Sequence, residues 1–199
     1  MAQSRTAGTD THEAIMRGAL DEFAAHTFAG ARIQEIASRA GVALGTIYNY
    51  FEHKEALGNA VYRRWKTETR RYGVWLVEGR SPEDTFAVWW GQMAAFFGDH
   101  PAAFLFLETQ HHSPYLDAES RALASSIDAA AVRSFIGWQQ SGAARPGEPE
   151  VLISMVVGLF RSLVTELAKT GRTAGPEELE WGRDCAWTMV QRPPQGRKR

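Results

Sequence analysis

Apolar side chains recur along this chain at intervals of three and four residues, the spacing of a helix that is buried on one side. The first such stripe includes Ile15 and Phe23 and predicts a helix over residues 10–26. Asp10 and Glu13 stand three positions apart at its start, which is the spacing of a capping box. No convincing strand-like alternation occurs, and the pattern therefore predicts an all-α fold of about nine helices.

Longer helices are predicted in the rest of the chain. One begins at Lys54, carries Leu57, Val61 and Trp65 on one face, and extends to about Val77. The later helices are delimited by proline and glycine residues, which start or stop helices. Their predicted starts or ranges are Pro82, Pro101, 117–140, 150–170 and 176–191, with a loop over 141–149.

Residues 36–57 have the pattern of a helix-turn-helix followed at once by a third helix. Gly41 can adopt the left-handed φ that reverses the chain between the two short helices. Ile47 is the inward anchor of the second short helix, 44–50, and we interpret Phe51 as core. The outer faces of that helix would carry Gly45, Thr46, Tyr48, Asn49 and Tyr50. Such a helix can enter a DNA major groove.

This part of the sequence resembles the tetracycline-repressor (TetR) family of transcriptional regulators over about residues 15–57. The resemblance rests on residues in fixed register, namely Ile36-Ala37, Ala40-Gly41-Val42, Gly45 through Phe51, Lys54-Glu55 and Leu57. It implies an N-terminal three-helix DNA-binding domain and a C-terminal helical domain for effector binding and dimerisation. We accordingly expect domains over 1–54 and 55–191, followed by a basic flexible tail over 192–199.

Three residues depart from the family pattern. Thr27 stands where the family often has glycine, and a β-branched residue tolerates positive φ poorly, so the first helix is expected to end differently. Arg32 and Ala43 replace residues that commonly cap the second and third helices, so two side-chain N-caps are expected to be missing.

The resemblance and the side-chain chemistry together suggest roles within the motif. Carried over from the family, three residues would hold DNA phosphates: Thr46, Tyr48 and Lys54. Our candidates for contacts with base edges are Gln34, Gly45, Asn49 and Tyr50. For the two tyrosines, Tyr48 and Tyr50, packing within the domain is the alternative.

Composition and charge qualify this picture. A chain of 199 residues with 44% hydrophobic content can bury a substantial core. We expect neither a signal peptide nor a membrane span, and Cys185 alone forms no internal disulfide, so a cytoplasmic protein is predicted, with Cys185 as a small buried hydrophobe. Residues 1–55 hold five Lys or Arg and seven Asp or Glu side chains, so DNA affinity would depend on a few placed contacts. A basic cluster over 63–71 is interpreted as a solvated helix face.

The segment from Val151 to Leu167 is apolar almost all round, which one subunit cannot easily cover. We therefore predict a homodimer with a four-helix interface formed by the last two helices of each chain. The candidate interface residues are Met155, Leu159, Leu163 and Trp187. The alternative is a central helix buried within one subunit. In a two-fold dimer, recognition helices about 34–36 Å apart would bind a palindromic operator.

The region between Trp65 and Trp138 is rich in aromatic residues, which favours a site for a small apolar or aromatic effector. The candidate ligand-binding residues are Trp65, Trp89, Trp90, Met93, Phe97, Phe104, His111 and Phe135. For any single ring, ordinary core packing is the alternative. The helix that begins at Lys54 would act as the lever between effector and DNA.

Catalytic and metal-binding patterns are weak. His111 and His112 are adjacent, so their side chains would point apart on a helix, and no spacing typical of metal ligands supports them. We expect no enzyme activity, no metal and no cofactor. The sequence therefore predicts a ligand-responsive, sequence-specific transcriptional repressor; the alternative is a helical small-molecule-binding or metal-dependent protein whose helix-turn-helix is vestigial.

Overall fold

The computed structural model describes residues 2–73, 80–110 and 113–193, with side chains from Asp10 onward. Over these ranges the chain forms nine α-helices and no named strand, so the all-α prediction is confirmed. The helices are α1 (Ala2–Gly30), α2 (Ile33–Ala40), α3 (Leu44–Tyr50), α4 (Lys54–Tyr72), α5 (Pro82–Asp99), α6 (Pro101–Gln110), α7 (Ala118–Gln140), α8 (Pro149–Lys169) and α9 (Pro176–Val190).

The chain forms two compact units. The first comprises Met1–Arg71 together with Phe96–Ser125, and the second comprises Tyr72–Ala95 together with Ser126–Arg199. In the first unit, Phe23 of α1 stacks on Phe106 of α6 at a centroid distance of 5.8 Å. The helix-turn-helix therefore belongs to the same compact unit as α6.

Aromatic rings fill the core of the second unit. Phe160 of α8 meets the ring of Trp90 edge-on at a centroid distance of 5.1 Å. Phe86 of α5 contacts Trp187 of α9 at 5.2 Å. Gly182 lies so close to Trp90 that a Cβ atom there would be 3.0 Å from the ring, and glycine therefore permits α9 to approach α5.

Several helix boundaries follow the predicted chemistry. Ser81 caps α5, because its hydroxyl accepts the amide of Asp84 at 3.0 Å and donates to that side chain at 2.8 Å. Asp117 caps α7 by accepting the amide of Ser120 at 2.7 Å. Gly41 has a φ of 67° at the end of α2, as predicted.

Three predictions about helix ends and burial are wrong. The helix predicted to start at Asp10 begins at Ala2, so Asp10 and Glu13 lie inside the helix and not at its start. The helix that starts at Lys54 ends at Tyr72, before Gly73, and the rest of its predicted extent, 74–77, lies outside the described residues. Cys185 is exposed on α9 rather than buried.

Thr27 shows why the first helix was difficult to predict. Its backbone has the positive φ that its side chain disfavours, with a φ of 56° and a ψ of 171°. This conformation is not helical, so α1 is kinked at Thr27 and residues 28–30 are separated from the helix before it. A β-branched residue in this region is strained, and such strain persists only where the surroundings hold it.

Candidate DNA-binding surface and effector region

The helix-turn-helix has the predicted internal anchors. Ile36 is fully buried and Ile47 is 1% exposed, so each short helix is fixed by an inward aliphatic side chain. Phe51 is also buried, which confirms its interpretation as core. At the turn, the amide of Val42 donates to the carbonyl of Ala37 at 3.0 Å. Since α3 has only seven residues, it depends on these tertiary contacts for its stability.

The outer face of α3 is open to solvent. Tyr48 is 52% exposed and Tyr50 is 39% exposed, so both rings present apolar surface to water. Gly45 has open space around it, since a Cβ atom placed there would meet nothing within 4 Å. Gln34 of α2 and Asn49 are likewise exposed, and Thr46 is half-buried. The structure thus leaves all the predicted base-contact candidates accessible.

One contact on this surface has no counterpart in the sequence analysis. The ring of His12, on α1, lies edge-on to Tyr50 at 5.9 Å and tilted to Phe51 at 5.5 Å. His12 thereby supports one side of the tyrosine from outside the motif. The predicted absence of side-chain caps is confirmed, since neither Arg32 nor Ala43 caps the helix that follows it.

Lys54 takes a position that the sequence did not reveal. Its ammonium donates to the carbonyl of Ala31 at 2.6 Å and lies 4.7 Å above the centre of the Phe28 ring. Both partners belong to residues 27–32, which we call the α1–α2 junction. An ammonium has three donors, so this contact leaves others for a phosphate.

A buried carboxylate also anchors the α1–α2 junction. Glu22 is 2% exposed and accepts a hydrogen bond from Nε of Arg39 on α2 at 3.0 Å. Its second oxygen lies 3.4 Å from the amide of Arg32. Because a buried charge needs such partners, the pair fixes α2 against α1. Arg39 is consequently engaged within the protein.

Polar contacts join α4 to the segment between α6 and α7. Asn59, 3% exposed, donates to the carbonyl of Tyr115 at 3.0 Å. Its side-chain oxygen accepts the amide of Asp117 at 2.9 Å and the hydroxyl of Ser120 at 2.7 Å. Arg63 pairs with Asp117 at 2.8 Å. This arginine of the predicted solvated face therefore has a structural partner.

The environments of two of these groups shift their pKa values. Burial raises the pKa of the Tyr115 hydroxyl far above its ordinary value, and the nearby Tyr62 adds to the effect. Burial also acts to raise the pKa of Asp117, but hydrogen bonds from Ser120 and Arg63 outweigh it and hold that pKa below its usual value. Tyr115 therefore stays neutral, and Asp117 stays ionised, at neutral pH.

The candidate effector residues are divided between the two units. Trp65, Phe97 and Phe104 lie in the first, where Trp65 contacts the ring of His100 at 4.8 Å. The second unit contains Trp89, Trp90, Met93 and Phe135, all of them buried. Trp90 also lines an open groove of about 610 Å³ with residues of α5 and α9. His111 lies outside the described residues.

The candidate dimer residues have different surroundings. On α8, Met155 is 44% exposed, and Leu159 and Leu163 are half-buried. Trp187 is half-buried and packs on Phe86 within its own unit. Trp181, which the sequence analysis missed, is 62% exposed on α9. Trp181 is the most exposed of the large apolar side chains that the structure describes.

By length and composition alone, α8 is apolar enough to cross a membrane, which the sequence analysis did not expect. One stripe of α8 is buried within the second unit, through Leu152, Val156, Phe160 and Val164. Only 22% of its apolar window is buried, so most of this apolar surface is left uncovered within the chain. Among the described residues, no group of three His, Cys, Asp or Glu side chains is arranged to hold a metal ion.

A short, exposed α3 held by buried aliphatic side chains after the turn at Gly41 is the arrangement of a DNA-binding helix-turn-helix. The family model described as bacterial regulatory proteins, tetR family, matches residues 15–66. A second model, described as the tetracyclin repressor-like C-terminal domain, matches residues 78–192. The chain belongs to the TetR family of transcriptional regulators, and it has the family's DNA-binding domain.

Individual relatives agree with this assignment. The HTH-type transcriptional regulator RutR of Escherichia coli K12 is 32% identical over 157 residues, covering 72% of this chain and 69% of RutR. A TetR family regulator from Marinobacter aquaeolei has a similar fold, with a TM-score of 0.77 at 23% identity, covering 95% of this chain and 100% of the other. The regulator FadR from Bacillus subtilis, solved in complex with stearoyl-CoA, has a TM-score of 0.60 at 16% identity, covering 90% of this chain and 97% of FadR.

Proposed function

We propose that the protein is a ligand-responsive repressor that binds a palindromic operator as a dimer and is released by a small apolar or aromatic molecule. The observation that carries the proposal is the contrast within α3. Ile47 is sealed in the core, whereas Tyr48 and Tyr50 project into solvent. Exposed aromatic side chains on so short a helix have a clear purpose if that helix lies in a DNA groove.

The proposed contacts divide into two sets. Thr46, Tyr48 and the remaining donors of Lys54 would bind phosphates and set the register of the helix. Gln34, Gly45, Asn49 and Tyr50 would contact base edges. In this arrangement, an amide side chain can pair with adenine, and a tyrosine ring can contact a thymine methyl group. The His12 ring would limit the orientations open to Tyr50.

The charged side chains of the N-terminal region favour only a modest electrostatic contribution to DNA affinity. Arg39 is paired with Glu22, and Arg64 donates to the carboxylate of Glu13 at 2.7 and 2.6 Å. Few cations therefore remain for phosphates, and we expect a moderate dependence of DNA affinity on salt. A dimer doubles each contact, which compensates for this scarcity.

Dimerisation would use the exposed sides of α8 and α9. The large apolar side chains that are exposed there are Val151 and Met155 on α8 and Trp181 on α9. Leu159, Leu163 and the open side of Trp187 would complete the contact. Covering this surface in a four-helix interface would remove apolar area from water and set the spacing of the two recognition helices.

The effector would bind to the aromatic region of the C-terminal domain. Support comes from the ring-rich core and from the FadR structure, which was solved with an acyl-CoA. An effector that binds the DNA-incompetent conformation more tightly by about 1–3 kcal/mol would change operator occupancy. We propose α4 as the lever, since it starts in the helix-turn-helix region and continues to Tyr72. Like other regulators of this family, the protein would act in the cytoplasm.

The experiment starts from DNA duplexes that the full-length protein selects from a random pool. Binding of the selected duplex is then measured by fluorescence anisotropy at moderate salt. We expect Tyr50→Ala and Asn49→Ala to weaken binding by about tenfold or more each, since a good base contact contributes about 1–3 kcal/mol. Ser126→Ala, which changes an exposed residue of α7, serves as the control.

The outcomes separate the two functional hypotheses. The repressor hypothesis would be supported if the wild-type protein selects a palindromic sequence and the Tyr50→Ala and Asn49→Ala variants bind it more weakly. Failure of the wild-type protein to select any sequence would instead favour a small-molecule-binding protein with a vestigial motif. Stearoyl-CoA and indole, added separately to the protein–DNA complex, test whether an apolar molecule of either kind releases the duplex.

A further inference from the structure

The α1–α2 junction adopts a backbone that needs support from its surroundings. Thr27, at its start, has a φ of 56°, which L side chains rarely adopt. The junction leads directly into α2 and from there into α3. Its conformation therefore sets the direction in which the recognition helix is presented.

Phe28 is the residue of this junction that is held from several sides. Its ring stacks on Tyr115 with centroids 3.6 Å apart and planes 15° apart. Phe23 contacts it at 5.5 Å, and the ammonium of Lys54 lies above it. The two stacked rings fit against Gly58, where a Cβ atom would be 2.9 Å from each of them. The stack thus occupies a slot that α4 leaves open only because residue 58 is glycine.

Tyr115 lies far from the helix-turn-helix in sequence, between α6 and α7. Asn59 binds its carbonyl and also holds Asp117 and Ser120, so the segment 115–120 is attached to α4. The Tyr115 hydroxyl is buried, and among the described residues it has no hydrogen-bond partner. The ring, rather than the hydroxyl, is therefore the part of this side chain that its neighbours use.

We propose that Tyr115 is a positioning residue for DNA binding, which acts by holding Phe28 and hence the orientation of α2 and α3. The inference rests on the proposed DNA-binding function, but it concerns a residue outside the motif. It predicts that operator affinity depends on a ring contributed by the segment between α6 and α7. Loss of the stack would leave α3 intact but less often in the orientation that fits the groove.

The test compares variants of the full chain on the duplex that the wild-type protein selects. Tyr115→Phe keeps the ring and should bind within twofold of wild type. Tyr115→Ala and Phe28→Ala should each weaken binding by about tenfold. The double variant should be no weaker than Phe28→Ala, because the stack that Tyr115→Ala removes is already lost in that variant. Tyr115→Leu retains apolar volume without a flat face and replaces Tyr115→Ala if that variant does not fold.

Amide hydrogen exchange of the free protein gives a second readout. We expect Tyr115→Ala to speed exchange in residues 33–50, while exchange in α8 remains unchanged and Tyr115→Phe remains like wild type. Wild-type affinity in Tyr115→Ala, or losses that add in the double variant, would overturn the proposal. If the wild-type protein selects no duplex, the proposed function fails, whereas the exchange result still decides whether Tyr115 orders α2 and α3.

Discussion

The two compact units differ in the kind of contact that stabilises each of them internally. In the second, rings such as Phe86, Trp90 and Phe160 pack closely and bury apolar area. In the first, an apolar core is supplemented by directional contacts, notably those of Glu22 with Arg39 and of Asn59 with residues 115–120. These directional contacts act together with the Phe28–Tyr115 stack, and we expect the combination to fix the orientation of the helices in the unit that carries the DNA-binding surface.

The largest expected effect tests the ring-packed unit. Phe160→Ala removes a fully buried ring and should lower the free energy of unfolding by about 3–5 kcal/mol. Urea unfolding at one fixed protein concentration measures it. Phe160→Leu, which retains most of the apolar volume, should lose far less. Equal losses of stability in the two variants would contradict the assignment, because they would show that filling the volume of the ring does not stabilise this core.

Asn59→Ala tests the directional contacts of the first unit. It removes the acceptor of the Ser120 hydroxyl proton and the side-chain partner of two backbone groups, the Tyr115 carbonyl and the Asp117 amide, and should cost about 1–3 kcal/mol. Thermal unfolding provides the measurement, with the exposed Asn49→Ala as the matched control. A loss no greater than that of the control would contradict the role assigned to this network.

Thr27→Gly tests the strain at the α1–α2 junction. Glycine adopts positive φ without a Cβ clash, so the substitution should raise the free energy of unfolding by about 1 kcal/mol, which is the strain relieved less the backbone entropy of glycine. Thr27→Ala retains the Cβ atom and should show no comparable gain. Destabilisation by glycine would mean that the threonine conformation carries no strain.

The smallest effect concerns pH. Because the folded protein holds the pKa of Asp117 below its ordinary value, the ionised group stabilises the fold above about pH 4. This contribution is lost as pH falls through the lowered pKa. Wild type should therefore lose slightly more thermal stability between about pH 5 and 3 than Asp117→Asn does. Asp21→Asn, an exposed change on α1, should follow wild type, and the absence of any difference would contradict the assignment.

The sequence predicted the elements whose signals are local. The bounds of α3, the reversal at Gly41 and the start of α5 at Pro82 each follow from residue types in short range. The anchors of the first unit left no such signal. Asn59 and Ser120 are 61 positions apart, and a polar pair at that separation produces no periodic pattern. Thr27 was misinterpreted because its neighbours, rather than its own preference, determine its backbone.

The same reasoning explains which features of the exposed surfaces the sequence predicted and which it did not. Exposure of Tyr48 follows from the helical period once Ile47 is known to face inward. Exposure of Tyr50 does not, because residues three apart lie on neighbouring positions of one helix face and Tyr50 is exposed only because α3 ends there. The inward attachment of Lys54 does not follow, because its partner is a backbone carbonyl of the α1–α2 junction, which any residue type supplies. Similarly, the exposure of Trp181 depends on how α9 packs, and a hydrophobic stripe alone does not reveal it.

The measurement that tests the central claim most directly is a hydroxyl-radical footprint of the protein on the duplex it selects. The account predicts two protected patches related by two-fold symmetry, with centres about 10 base pairs apart, that disappear with Tyr50→Ala. A single patch, or a footprint that Tyr50→Ala leaves unchanged, would contradict the claim that paired copies of α3 read the operator.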